Sequence, residues 1–184
     1  DSLALDKAQY DRALVCFNAE EYERTIFCLE EAIVENTDRT STNAQNCIEA
    51  IELYGWCLVF LNDMTRFELW RTVIEEMGES VFLLPRMRII VLWAKCLCAH
   101  DFEGTINECD EFIDRNRDLI TPLLPKYIFI KSFAAFRLSG DAACLEETEI
   151  AYSMFNYLKL HIDKTRAALM LGVLNLAIGR YAES

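Results

Sequence analysis

Residues 22–33, YERTIFCLEEAI, place Tyr22, Ile26, Leu29 and Ile33 at steps of three and four. That spacing puts them on one face of an α-helix and leaves the charged side chains on the other. Upstream, Leu3, Tyr10, Leu14 and Phe17 read as a similar face, and the acidic pair Glu20-Glu21 falls between the two runs. Two amphipathic helices joined by a short polar turn make a helical hairpin. Downstream, residues 36–46 (NTDRTSTNAQN) have no periodicity and read as a long loop.

The same pattern continues to the end. Helices are expected over Ile48–Leu61, Arg66–Met77, Arg86–Ala99, Phe102–Arg115, Lys126–Leu138, Ala142–Leu160 and Lys164–Ile178. Gly78 is placed to stop one of them, and Pro85, after Leu84, suits the first turn of the next. Pro122 and Pro125 bracket a connection, and Gly140-Asp141 marks a turn. Only 3 prolines and 6 glycines interrupt 184 residues. Each costs a helix interior about 3 or 1 kcal/mol respectively, so their scarcity favours helices throughout. No strand of significance is expected.

A loose repeat runs through the chain. A polar turn followed by an aromatic residue and Glu occurs at Glu21-Tyr22-Glu23, Arg66-Phe67-Glu68 and Asp101-Phe102-Glu103, with Ser139-Gly140-Asp141 as a fourth turn lacking the aromatic. The first three aromatics are 45 and 35 residues apart, the range of tetratricopeptide-like arrays, although the strict consensus is absent. The expected fold is therefore all-α, a degenerate tetratricopeptide-like array of helical hairpins forming a short α-solenoid. Residues 1–184 are taken as a single helical adaptor domain; an irregular helical bundle is the alternative.

Composition bounds the function. Thirty acidic against 18 basic side chains leave a net charge of −12. A nucleic-acid backbone or an anionic membrane surface would be repelled. The charge either keeps an apolar-rich chain in solution or complements a basic protein patch. The eight cysteines contain no C-x-x-C and lie mostly in apolar helical runs, so they read as small buried hydrophobes in a reducing compartment. No apolar run approaches the roughly 20 residues of a spanning helix. The chain starts at Asp1, which suggests an excised piece of a longer protein.

Catalytic and metal-ligating patterns are weak. Cys96, Cys98, His100 and Cys109 resemble zinc ligands in composition, but Cys96 and Cys98 point about 200° apart on a helix. His100 falls in a turn, and His161 falls near a helix end where the dipole favours it. Neither has a nucleophile beside it, and there is no glycine-rich phosphate loop. No catalytic residue, cofactor or metal is assigned. Aromatic and arginine side chains concentrate binding energy, which makes Arg66, Phe67 and Trp70, clustered at one helix start, the candidate partner-binding residues. Trp70 is equally compatible with a core position.

Residues 61–113 resemble the cytosolic domain of the metazoan peroxisome assembly protein 26 family, tail-anchored peroxins that tether the paired AAA ATPases of peroxisomal protein import. The resemblance rests on the turn Met64-Thr65-Arg66-Phe67, a following helix that reaches Leu84-Pro85, the apolar helix Arg86–Ala99, and a second helix ending near Ile113. Leu124–Tyr127, a Leu-Pro-x-Tyr, and the hairpin Ala13–Ala32 fit the same layout. The loop after Asn36 and the segment before Pro122 differ from it in length. The resemblance implies an adaptor on the cytosolic face of the peroxisomal membrane that holds the N-terminal region of an ATPase subunit, contacts the membrane only through a tail anchor outside these residues, and hydrolyses no ATP. It marks Arg66 and Pro85 as sensitive positions; on the residues alone, Arg66 would order its turn and Pro85 would be structural. The runner-up function is a generic helical-repeat subunit of another assembly, binding a peptide or helical segment. An enzyme of unrecognised type is the third.

Overall fold

A computed structural model of the chain describes residues 2–36, 43–76, 85–118, 121–140, 143–177 and 179, with the side chains of 2–5, 33–36, 43–47 and 85 left aside. The fold is all-α. In order, the described elements are β1 (Ser2–Leu5), α1 (Lys7–Asn18), α2 (Tyr22–Ala32), β2 (Ile33–Asn36), α3 (Asn43–Leu61), α4 (Met64–Glu76), α5 (Pro85–Leu97), α6 (Phe102–Asn116), α7 (Leu124–Ser139), α8 (Ala143–Tyr157) and α9 (His161–Ala177). They gather into two compact units, Asp1–Cys98 and Ala99–Ser184, where the sequence reading treats the chain as one domain.

Pro85 is the first residue of α5, where its missing N–H costs no helical hydrogen bond. Gly78, Leu84 and most of the expected loop (37–42) lie outside the described residues. One local expectation is corrected. Leu3 and Ile33 do not extend helical faces: β1 and β2 pair antiparallel, with Leu3 opposite Glu35 and Leu5 opposite Ile33. Asp6 then opens α1, its carboxylate accepting from the Ala8 and Gln9 amides at 2.9 and 3.3 Å. Such a cap satisfies donors that the first helical turn leaves without partners.

The hairpins share one turn. After α1, the Glu20 and Glu21 amides donate to the Phe17 and Cys16 carbonyls. After α3, Asn62 and Asp63 donate to Val59 and Leu58 in the same way, and after α8 so do Lys159 and Leu160 to Asn156 and Phe155. Each turn places one non-glycine residue in the left-handed region: Glu20 (φ 59°), Asn62 (φ 55°) and Lys159 (φ 58°). These paired bonds use up carbonyls that a helix end otherwise leaves exposed. The residue after each left-handed position then starts the next helix, its carbonyl accepting from the amide four residues on: Thr25 to Glu21, Phe67 to Asp63, Lys164 to Leu160. His100 (φ 54°) and Asp101 repeat this order before α6, where the Thr105 amide donates to Asp101.

The turn geometry realigns the repeat. Met64, not Phe67, is the equivalent of Tyr22 and Phe102, and Phe67 matches Thr25 and Thr105. All three of the latter positions are buried. Lys159 carries a turn that matches the first two; Gly140 (φ 66°) ends α7 with its amide donating to the Phe136 carbonyl, and Asp141 after it lies outside the described residues.

In the first unit, Ile26, Leu58, Phe67, Ile74, Met87 and Ile90 join α2, α3, α4 and α5 in one core. Ala13, Cys16, Cys28, Leu29, Ala50 and Leu53 pack α1 and α2 on α3. Burial of each large aliphatic or aromatic side chain here stabilises by roughly 1.5–3 kcal/mol. In the second unit, Tyr127 on α7 stacks on Phe112 of α6 at 3.7 Å between ring centroids. The Ser132 and Thr148 hydroxyls both donate to the Cys144 carbonyl at 2.7 Å, joining α7 to α8 in a fully buried polar contact. Lys131 lies between Asp110 (2.8 Å) and Glu147 (2.7 Å), linking α6, α7 and α8. Burial opposes its charge, but the two ion pairs outweigh burial and raise its pKa.

Candidate functional site

The three residues singled out as partner contacts have separate places in the structure. Phe67 is 2% and Trp70 7% exposed. The Trp70 indole lies over Gly55 of α3, where a Cβ would collide with its ring, and its N–H donates to the Ile51 carbonyl at 2.9 Å. Ile51 and Gly55 are one helical turn apart, so α3 offers Trp70 a notch and an acceptor on one face. A binding anchor has to be accessible. Phe67 and Trp70 are core side chains, and the expectation that they form a surface is corrected.

Arg66 stays near the surface but is engaged. Its Nε donates to Asp63 at 2.6 Å, and its two terminal nitrogens reach the Glu23 carboxylate at 2.7 and 3.2 Å. The Asp63 carboxylate also accepts from the Arg66 amide at 3.0 Å. The hydrogen bonds to Glu23 and Asp63 raise the guanidinium pKa. The Arg66 amide, followed by its side chain, holds Asp63 below its ordinary value. Arg66 thus ties the start of α4 to α2, as its turn-ordering reading has it.

That tie brings together two turns, 19–21 and 62–63, and the aromatic side chains beside them. Phe17 ends α1, Tyr22 opens α2, and Trp56 and Phe60 lie in the last turns of α3. Tyr22 stacks on Phe60 at 5.0 Å and Trp56 on Phe60 at 5.8 Å. Phe17 meets Tyr22 edge-on at 5.8 Å and lies 6.1 Å from Phe60. Phe60 is the hub and is 41% exposed; the other three are half-buried. Glu20, Glu21 and Glu23 are exposed on the turn and first residues beside Tyr22. Glu21 pairs with Arg24 at 3.0 Å. Residues 1–98 hold 17 acidic and 9 basic side chains, a net −8. The cluster is therefore a partly exposed aromatic platform in an acidic setting.

The platform escaped the sequence reading because its rings come from three helices. A signal was present all the same: Trp56 and Phe60 are one helical turn apart in the chain's apolar run, and Tyr22 opens a hairpin helix.

The cysteine and histidine positions carry little chemistry. Cys16, Cys28, Cys57, Cys96, Cys109 and Cys144 are buried thiols that form no disulfide, and Cys98 is half-buried, its thiol 3.6 Å from the Val59 carbonyl. Burial pushes the Cys57 thiol up to about 12, well away from a reactive thiolate. Among the described residues, no three His, Cys, Asp or Glu side chains converge as metal ligands. His161 is the first residue of α9. A cation there meets the positive end of the helix, so the expected favourable dipole contact is corrected. No described helix is long and apolar enough to cross a membrane.

No family model matches the chain, and neither a curated protein nor a solved structure is significantly similar to it.

Proposed function

We propose that the chain is a non-enzymatic docking scaffold that takes the N-terminal region of a AAA ATPase subunit on the cytosolic face of the peroxisomal membrane. The observation that carries the docking reading is the aromatic platform, with Phe60 41% exposed at its centre. Rings held by one another lose little conformational freedom when a partner covers them, which suits them to anchor a complex. The carboxylates beside the platform and the net −8 of residues 1–98 favour a partner with a basic face.

The resemblance carried by Met64–Phe67, Leu84-Pro85 and Leu124–Tyr127 supplies the named partner and the setting: recruitment of the ATPase complex for matrix protein import and receptor recycling, with a tail anchor outside these residues. In this reading the partner hydrolyses ATP and the scaffold positions it. The second reading is a helical-repeat subunit of another assembly. The shared turn at Glu20, Asn62 and Lys159 favours it, because it is a property of hairpin arrays in general and does not depend on the partner.

Titration of the 184-residue chain with a purified ATPase N-terminal domain tests the proposal. Saturable binding that weakens about 10-fold or more in Phe60→Ala is expected, at a temperature where circular dichroism shows the variant, which loses three ring contacts and melts lower, still fully folded. Absence of binding at tens of micromolar removes the named partner. Equal binding by Phe60→Ala removes the platform as the docking site.

A further inference from the structure

The rings that open two of the hairpin helices are completed differently. In the second unit Phe102 opens α6, and Arg137 in the last turn of α7 sets its guanidinium over that ring, 5.8 Å from the centroid. In the first unit Tyr22 opens α2 at the same repeat position, and the last turn of α3 brings up Phe60, a second ring, at 5.0 Å. Phe60 stays 41% exposed, and among the described residues no cation lies over it or over Trp56. Carboxylates neighbour Tyr22 in the chain. Glu21 is paired with Arg24 and Glu23 with Arg66. Glu20, in the turn between Phe17 and Tyr22, is exposed and has no ion pair among the described residues.

We propose that the platform takes an arginine side chain from the partner's docking segment, its guanidinium against the exposed ring surface and its N–H groups directed to the Glu20 carboxylate. This names the chemistry of the partner's anchor and rests on the docking reading above. Charge selects a cation. Residues 1–98 carry a net −8, so an acidic anchor is repelled, and an aliphatic one covers the rings but leaves Glu20 without a partner.

Ring chemistry then selects arginine over lysine. A guanidinium is planar and weakly hydrated, so it stacks on an aromatic surface while donating in its own plane to a carboxylate. An ammonium is a compact, strongly hydrated charge that does one or the other. The chain itself carries both halves of this arrangement: Arg137 covers the ring at the matching repeat position, and arginines pair with the two neighbouring carboxylates of the platform turn.

Fluorescence anisotropy of labelled nona-arginine and nona-lysine peptides, titrated with the 184-residue chain, tests this without the ATPase. The two probes have equal charge, so long-range attraction treats them alike. Nona-arginine should bind about 3-fold or more tighter than nona-lysine. Phe60→Leu keeps an apolar side chain but no aromatic face, and should bring the two peptides to about equal affinity while circular dichroism shows it folded. Glu20→Gln, at an exposed site, should weaken nona-arginine about 2-fold. Equal affinity of the two peptides for wild type overturns the proposal, as does a preference for arginine that folded Phe60→Leu retains. Unchanged nona-arginine binding in Glu20→Gln overturns the role of Glu20. The ATPase N-terminal domain is titrated in parallel. If it binds in a Phe60-dependent way while the peptides are not distinguished, the arginine anchor fails and the docking reading stands. If the peptides are distinguished through Phe60 and the domain does not bind, the named partner fails and the arginine anchor stands.

Discussion

Trp70 and Arg66 are four residues apart at the start of one helix, yet they have different work to do. Trp70 needs the notch at Gly55 and the Ile51 carbonyl; neither requirement is visible from its own neighbours in the chain, which is why the sequence leaves core and surface equally open for it. Trp70→Ala should cost about 3–5 kcal/mol. Gly55→Ala gains up to about 1 kcal/mol of helix propensity but forces the indole aside, and overpacking of that kind costs about 1–3 kcal/mol. Denaturant unfolding should therefore find Gly55→Ala no more stable than wild type and Trp70→Ala far less stable. Arg66 behaves differently, because its partners are solvated carboxylates. Arg66→Ala should lose about 1 kcal/mol, less at high salt. The lowered pKa of Asp63 fixes the sign of the pH response. Its contribution is complete above the unfolded-state value near about 3.9 and is lost as pH falls through the lower folded-state value. Melting followed by circular dichroism on the acid side should show a shallower pH dependence in Arg66→Ala than in wild type.

Helices were the most legible elements. α4, α5, α6, α7 and α9 start or end within a few residues of the spans their periodicity predicts, since each has enough turns for the 3.6-residue pattern to dominate. The β1–β2 ribbon was not legible: four residues per strand are too few to distinguish alternation from a helical face, and Leu3 and Ile33 fit both. The turns were half-legible. Their polar residues were recognised, but the left-handed position was not, because Glu20, Asn62, His100 and Lys159 occupy it instead of glycine. A β-carbon in that conformation costs on the order of 1 kcal/mol. Lys159→Gly should relieve that strain, partly offset by the freer unfolded chain, for a net gain of about 0.5 kcal/mol. Gly140→Ala imposes the same strain and should lose about 1 kcal/mol. Thermal melts of the two variants should move in opposite directions. A loss of stability in Lys159→Gly would show that the left-handed lysine contributes more through its surroundings than its backbone costs.

For the molecule as a whole, the all-α array was readable from the scarcity of helix breakers and the recurrence of polar turns, whereas the proposed docking surface was not. The exposed aromatic hub arises only where the ends of α1 and α3 and the start of α2 come together. Charge is distributed unequally, with residues 99–184 holding 13 acidic and 9 basic side chains, a net −4, against −8 in residues 1–98. A basic partner should accordingly be steered to the unit that holds the platform. Screening acts beyond roughly 8 Å at physiological ionic strength, so salt should slow encounter while leaving the short-range ring contacts in place. The most direct measurement is stopped-flow or surface-based kinetics of the wild-type chain and Phe60→Ala with the ATPase N-terminal domain at low and high salt. Salt should lower the association rate of both proteins alike, and Phe60→Ala should raise the dissociation rate about 10-fold at either salt concentration. A salt-independent association rate, or a Phe60→Ala complex that dissociates as slowly as wild type, would contradict this picture.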